Sequence, residues 1–251
     1  PKNNHGTEIS MKRLLSKIRN KLCSSKNLKY GFTNSTFLEG ESVIKHFKAD
    51  SSEDGYTNEV TALRVLSGKL PIPKLISSDP QQQKIRTELV AGIHAADIID
   101  ASSINQVHQR CGELLANLHA LPVELFPRQP NSPDDVIVHG DFNTKNILVS
   151  ESSHAIVALL DWEQVHLGNP LEDLCWYEWV LRRNHSGNSA SDPLKHFYMG
   201  YSTHPSWPDR HQGILDRLNS IIDGLKEDNQ PTDAIKYWES HLKEAEAFQE
   251  I

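Results

Sequence analysis

Cysteine is scarce in this sequence, and its placement rules out two common kinds of scaffold. Cys23, Cys111 and Cys175 are the only three, they lie far apart, and no Cys-x-x-Cys occurs. An odd, dispersed set suggests neither a disulfide framework nor a zinc site. It fits a reducing cytoplasm, where we expect the protein to reside. Long apolar runs are missing too: none approaches the ~20 residues that a membrane span requires. The basic N-terminus lacks the apolar segment of a secretory signal, and residues 1–10 read as a flexible lead. There is no surplus of base. Lys and Arg total 26 against 33 Asp and Glu, a net charge of −7. That argues against a nucleic-acid partner and is compatible with a cationic one. No internal repeat or low-complexity tract is present. The 13 histidines are scattered, without the clustered His and Asp ligands of a binuclear phosphoesterase.

What is present suits one large domain or two small ones. The 251 residues are 37% hydrophobic and 24% charged, enough to bury a core. Residues 11–22 read as a basic amphipathic helix with Leu14, Leu15, Ile18 and Leu22 on one face. Seven basic residues and no acid lie from Lys12 to Lys29; a solvated basic face is the expected use, an anionic partner surface the alternative. Short β-like runs follow at Leu28 to Phe32, Ser35 to Leu38 and Ser42 to Phe47. Glu39-Gly40-Glu41 should turn the last two into a hairpin. A helix over 53–67, with Val60, Leu63 and Leu66 at helical spacing, should stop at Gly68. Pro71-Ile72-Pro73 forces extended backbone, and Ile85 to Val90 reads as a strand.

The remainder is mainly helical. Val107, Cys111, Leu114, Leu115 and Leu118 form a stripe through a helix over 104–120. Three apolar strand-like runs fill 136–161. Gly168-Asn169-Pro170 should start another helix, with Asn169 as N-cap and the Glu172 carboxylate at its positive end. From Pro193 onward the chain reads as helix, with Trp207 and Trp238 in the core. The expected plan is α+β, split near residue 91.

The chemistry is concentrated in His139-Gly-Asp-Phe-Asn-Thr-Lys-Asn146. Asp141 and Asn146 stand five residues apart in a short loop between Val136-Ile137-Val138 and Ile147-Leu148-Val149, and Asp161 ends the next apolar run. A carboxylate, an amide and a second carboxylate at strand ends are the parts of a Mg-dependent phosphoryl transferase. Asp141 can accept the acceptor's hydroxyl proton, a role that contributes ~10²–10⁴-fold. Asn146 and Asp161 offer the hard oxygen ligands that Mg²⁺ takes.

The block from Val138 to Val149 resembles the catalytic loop of the aminoglycoside phosphotransferase and choline kinase-like small-molecule kinases, which share the protein-kinase fold. Leu160-Asp161-Trp162-Glu163 resembles that family's metal-binding segment. Gly168-Asn-Pro-Leu-Glu-Asp-Leu174 resembles the turn and helix that follow it, and Leu115-Ala-Asn-Leu-His-Ala-Leu121 its Leu-His helix end. The resemblance implies a two-lobed fold. Residues 1–90 would form a nucleotide-binding lobe, a small antiparallel sheet with one main helix, in which 1–27 are a leading segment and amphipathic helix. Residues 91–251 would form a larger, mainly helical lobe for catalysis and substrate.

By that resemblance Asp141 is the base, Asn146 and Asp161 bind magnesium, and His139 and Asp173 brace the loop through a His–carboxylate hydrogen bond. Lys45 would contact the α- and β-phosphates of ATP or GTP with Glu59 as its ion-pair partner. Backbone groups of Glu88 and Val90 would bind the purine, and Thr33, Asn34 and Ser35 would cradle phosphate in place of the absent Gly-x-Gly-x-x-Gly. Asp-Trp-Glu stands where protein kinases have Asp-Phe-Gly, and no Ala-Pro-Glu follows. These departures favour a small-molecule hydroxyl acceptor, such as an antibiotic or an amino-alcohol. Glu163, Glu172, Trp176 and Glu178 are candidates for a wall that accepts a cationic one. A monomer or weak dimer is expected. A non-catalytic nucleotide-binding regulatory module is the alternative, and the joint retention of Lys45, Asp141, Asn146 and Asp161 argues against it.

Overall fold

The computed structural model of the chain describes residues 35–47, 53–98, 101–184 and 190–251. The helix expected over 11–22, the strand from Leu28 to Phe32, Thr33, Asn34 and Cys23 lie outside the described residues. The chain forms two compact units, one from residues up to Ile98 together with Lys145–Val165, the other from Ile99–Thr144 and His166–Ile251. The expected boundary near residue 91 falls close to the first crossing. The return of 145–165 to the first unit was not expected, and it follows from strand pairing.

The first unit is built on a four-stranded antiparallel sheet, in the order β1 (Ser35–Glu39), β2 (Ser42–His46), β4 (Lys84–Glu88), β3 (Leu75–Asp79). Gly40 and Glu41 make the two-residue turn that sets Glu39 opposite Ser42. Register then places Lys45 between Thr36 and Ile85, so the three side chains share one face. Helix α1 (Glu53–Val65) adds Tyr56, Val60, Ala62 and Leu63 to the core, where Ile85 of β4 is also buried. Strand β3 went unpredicted; its core-poor Leu-Ile-Ser-Ser-Asp sequence carries little period-2 signal.

A second sheet completes this unit. Its order is β5 (Ile93–His94), β7 (Ile147–Val149), β8 (Ile156–Leu159). The pairs Ile93↔Val149 and His94↔Leu148 bring 145–165 into the first unit. Strands buried along their whole length read as continuous apolar runs, and Ile147, Leu148 and Val149 are all buried.

In the second unit, β6 (Val136–Val138) pairs antiparallel with β9 (His166–Gly168). Helix α2 (Ala101–His119) buries the expected stripe, with Val107, Cys111, Leu114, Leu115 and Leu118 each at most 5% exposed. Each aliphatic member is worth roughly 1.5–3 kcal/mol relative to exposure. Helices α3 (Leu171–Asn184) and α4 (Ser191–Tyr201) supply Tyr177 and Phe197, stacked at 3.9 Å. Helices α5 (Trp207–Glu227) and α6 (Thr232–Glu246) close on Cys175 and Trp179 through Ile214, Leu218 and Ala245. Trp238 packs against this cluster half-buried. Among the described residues no helix is long and apolar enough to cross a membrane.

Candidate active site

The candidate residues fall into two groups, one in each unit. In the first unit Lys45 is the centre. Its Nζ lies 2.5 Å from Glu59 Oε2, 2.9 Å from Asp161 Oδ1 and 2.5 Å from Glu163 Oε1. The side chain is 11% exposed. Burial alone would push an ammonium toward neutrality, but the three carboxylates outweigh it and hold the Lys45 pKa well above its ordinary value. One cation does not balance three anions. Glu59 is pushed up to about 7, first by burial and then by Asp161 and Glu163, against the pull of Lys45. Glu163 is also raised, mainly by burial.

Local structure explains how these groups meet. Glu59 lies on the buried side of α1. On that helix Asn58 Nδ2 donates to the Glu163 carbonyl at 2.8 Å, fixing α1 to the Asp161–Glu163 segment. Trp162 between the two acids is fully buried, with its indole N–H donated to Leu159 O at 3.1 Å. Asp161 adopts φ +66°, a left-handed conformation that Asp tolerates better than most residues. It turns the chain sharply where β8 ends.

The β7–β8 hairpin brings Asn146 and Asp161 to one end. Ile147 pairs with Leu159, and Leu160 N donates to Asn146 O at 2.8 Å. Asn146 and Asp161 therefore leave the hairpin side by side. An amide and a carboxylate oxygen there suit a hard divalent ion. Carboxylate oxygens of Glu59, Asp161 and Glu163 also lie within 4.8 Å of one another, so the donor set fits a metal. Ser35 begins β1 and is exposed. Glu88 N donates to Lys74 O at 3.0 Å. Val90 is half-buried two residues beyond.

In the second unit the loop after β6 is held from beneath by Asp173. The fully buried carboxylate accepts from His139 N at 2.7 Å and Gly140 N at 2.9 Å, and contacts His119 Nε2 at 3.2 Å. Burial works to raise the Asp173 pKa, but the hydrogen bond and charge of His119, with the hydrogen bond from the His139 backbone, bring it below its ordinary value. Gly140 takes φ +82°, a conformation glycine reaches at no steric cost. The expected bracing contact is made by the His139 backbone rather than its ring. The imidazole Nδ1 instead receives Asp141 N at 3.2 Å, so that nitrogen carries no proton.

Asp141 itself is tightly oriented. Its Oδ1 accepts from Trp176 Nε1 at 2.7 Å and from Asn143 Nδ2 at 2.9 Å. Arg217 Nη2 donates to Gly140 O at 2.9 Å.

The acids expected to form a cation-accepting wall are engaged by the protein. Glu163 belongs to the Lys45 cluster. Glu172 contacts His166 Nε2 at 2.9 Å and accepts from Asn169 N at 3.0 Å, while Asn169 Oδ1 accepts from Leu171 N, as in a capping box. Glu178 is fully buried, bound by Arg210 Nη1 through both oxygens, by Arg182 Nε and by the Tyr198 hydroxyl. Its geometry is that of a core charge pair, because a buried carboxylate needs such donors. Trp176 is the one of the four beside Asp141. The supporting contacts of His119, Asn143 and Arg217 are not among those the sequence suggests. His119 stands in the Leu-His helix end, whereas Arg217 carries no signal on an ordinary amphipathic helix.

Residues 123–208 match the model of the phosphotransferase enzyme family. The gentamicin complex of APH(2")-IIa superposes with a TM-score of 0.66 at 15% identity, over 94% of this chain and 96% of that one. The ADP-bound aminoglycoside phosphotransferase APH(2'')-Ib gives 0.64 at 14% identity, over 93% and 97%. A choline/ethanolamine kinase family protein from Mesorhizobium loti gives 0.61 at 15% identity, over 93% and 94%. The fold is therefore the protein-kinase-like α+β fold of these proteins. A 65-residue stretch is 32% identical to acyl-CoA dehydrogenase family member 11 of Gallus gallus. That match covers 24% of this chain and 8% of the relative's length.

Proposed function

We propose that this chain is a small-molecule kinase that moves the γ-phosphate of ATP or GTP to an acceptor hydroxyl. The observation that carries the reading is Lys45 held at once by Glu59 and Asp161, the arrangement in which a lysine is presented to nucleotide phosphates. In the second unit, Asp173 supports the loop that carries Asp141. Solved relatives of the fold include an APH(2")-IIa complex with ATP and streptomycin, which supports a nucleotide and a hydroxyl-bearing small molecule here. An antibiotic or an amino-alcohol is the acceptor class we favour. A cytoplasmic setting suits Cys111 and Cys175, both free buried thiols.

Asn146 and Asp161 would hold Mg²⁺, which offsets charge on the phosphate oxygens when bound. Lys45 would orient the α- and β-phosphates, and its charge is secured by the acids around it. The Glu88 carbonyl and Val90 backbone would position the purine, with Ser35, Thr33 and Asn34 near the phosphates. Asp141 would orient the acceptor hydroxyl and take its proton late in transfer. His139 and Asp173 would keep that carboxylate in place without touching substrate.

The test is an acceptor screen with Mg·ATP and Mg·GTP over aminoglycosides, other antibiotics, choline-like alcohols, amino acids and sugars, with the product hydroxyl identified by phosphorus NMR. Asp141→Asn should lower transfer at least ~10²-fold while nucleotide binding persists. Undiminished turnover in that variant would sink the assignment of the base. Nucleotide binding with no transfer to any acceptor would instead favour a regulatory module.

A further inference from the structure

Trp176 was expected to line the acceptor wall, yet its indole N–H points at a protein group, the Asp141 carboxylate, 2.7 Å away. Asn143 Nδ2 donates to the same oxygen at 2.9 Å and to the Asp141 carbonyl at 3.0 Å. Two donors on one oxygen fix the plane of a carboxylate. Hydrogen bonds from neutral donors to an ionised acceptor are also among the stronger ones.

The indole is itself held on several sides. It stacks on Trp179 of the same helix at 4.7 Å and on Trp238 of α6 at 6.5 Å. Arg217 of α5 places its guanidinium 5.6 Å from the indole ring and donates to the Gly140 carbonyl. Three helices thus converge on one side chain, whose only polar atom is committed to Asp141. A tryptophan serving merely as packing has no need to spend its N–H on a carboxylate, because a backbone carbonyl would satisfy it, as Leu159 satisfies Trp162.

We infer that Trp176 is a positioning residue for the base: through Nε1–H it sets the orientation of the Asp141 carboxylate, with Asn143 as its partner donor and Arg217 steadying both ring and loop. The inference rests on the reading of Asp141 as the base. Trp176 acts on the chemical step through Asp141 and not through nucleotide affinity. It also links the orientation of that carboxylate to α5 and α6, the helices that supply Arg217 and Trp238.

The test uses the whole chain. Five tryptophans give five indole N–H signals in an ¹⁵N-labelled sample, and the one lost in Trp176→Phe is Trp176. That signal should lie downfield in the wild type and move when Asp141 becomes Asn; a signal indifferent to Asp141→Asn overturns the contact. With Mg·ATP and the acceptor from the screen, or water if none is found, Trp176→Phe should lower kcat roughly 10- to 100-fold, the worth of one hydrogen bond to a charged group. Nucleotide Kd and melting temperature should stay near wild type, since Phe keeps the ring stack. In an Asp141→Asn background the same substitution should have little further effect, because the carboxylate it orients is gone. An equal loss in both backgrounds means a structural role and overturns the proposal. If Asp141→Asn itself leaves transfer intact, the reading of the base fails, whatever the NMR result.

Discussion

Asp173 grips His139 by its backbone N–H, at 2.7 Å, and leaves the imidazole to receive the N–H of Asp141 at 3.2 Å. The loop is therefore supported in series. A buried charge holds the main chain of 139 and 140, and the ring of 139 holds the main chain of 141. Side-chain chemistry at His139 is spent on the geometry of the loop that carries Asp141.

Asp173→Asn should destabilise the protein by roughly 3 kcal/mol at neutral pH, because an amide cannot accept from both N–H groups and His119 as a carboxylate does. The pH dependence has a definite sign. The Asp173 pKa is lowered in the folded state despite its burial, through His119 and His139. Its contribution is then fully present above about pH 4 and lost as pH falls through the lower folded value. Urea unfolding from pH 3 to 7 should show a wild-type-to-variant gap that is flat above about pH 5 and narrows below about pH 4.

Glu59 should behave in the opposite sense. Burial and its acidic neighbours raise its pKa to about 7, against Lys45. A carboxyl held above its unfolded value favours the folded state at low pH, and that contribution is lost as pH rises through about 7. Between pH 4.5 and about pH 7 the wild type should lose melting temperature more steeply than Glu59→Gln, and the difference should level off above that. Parallel slopes would show that the glutamate is ionised throughout.

The local parts of this site were legible in the sequence, and the non-local ones were not. The hairpin around Gly40, helix α1 and the Asp141 loop each announce themselves within ten or so residues, through turn chemistry or apolar periodicity. Lys45 and Glu59 meet as expected because a strand followed by a helix packed on its sheet leaves few alternatives. Strand β5 is only two residues long, so its pairing with Val149, which carries 145–165 into the first unit, leaves no pattern to read. Glu178 reads as a candidate wall acid because its partner Arg210 is 32 residues away on another helix. Spacing cannot reveal an ion pair that only helix packing creates.

That ion pair gives the next prediction. Glu178 and Arg210 are 0% and 1% exposed, and Arg210 also lies over the rings of Tyr198 and Trp207. Glu178→Ala strands a buried guanidinium and should cost roughly 3–5 kcal/mol, whereas replacing both residues by Leu and Met should recover much of that loss. Denaturant midpoints decide it. Acceptor KM, measured on the folded fraction, should not change in the double variant. A raised KM would return Glu178 to the substrate side.

The α2–α4 crossing is closer than ordinary helix packing allows for anything but glycine. A Cβ on Gly112 would collide with the Phe197 carbonyl and come within 2.7 Å of Tyr201 N. One on Gly200 would collide with the Gln109 carbonyl. Alanine at either site must push the backbones apart. That would lengthen the His119–Tyr201 contact, now 2.9 Å. Alanine gains up to about 1 kcal/mol in helix propensity over glycine, while overpacking a tight contact costs roughly 1–3 kcal/mol or more, so the cost prevails. Gly224 on α5 is the control, since a Cβ there meets nothing within 4 Å. Gly112→Ala and Gly200→Ala should each lower the melting temperature, and Gly224→Ala should leave it unchanged or raise it slightly. Because His119 on α2 contacts Asp173, the first two should also weaken the support of the Asp141 loop, with a fall in turnover that Gly224→Ala does not share.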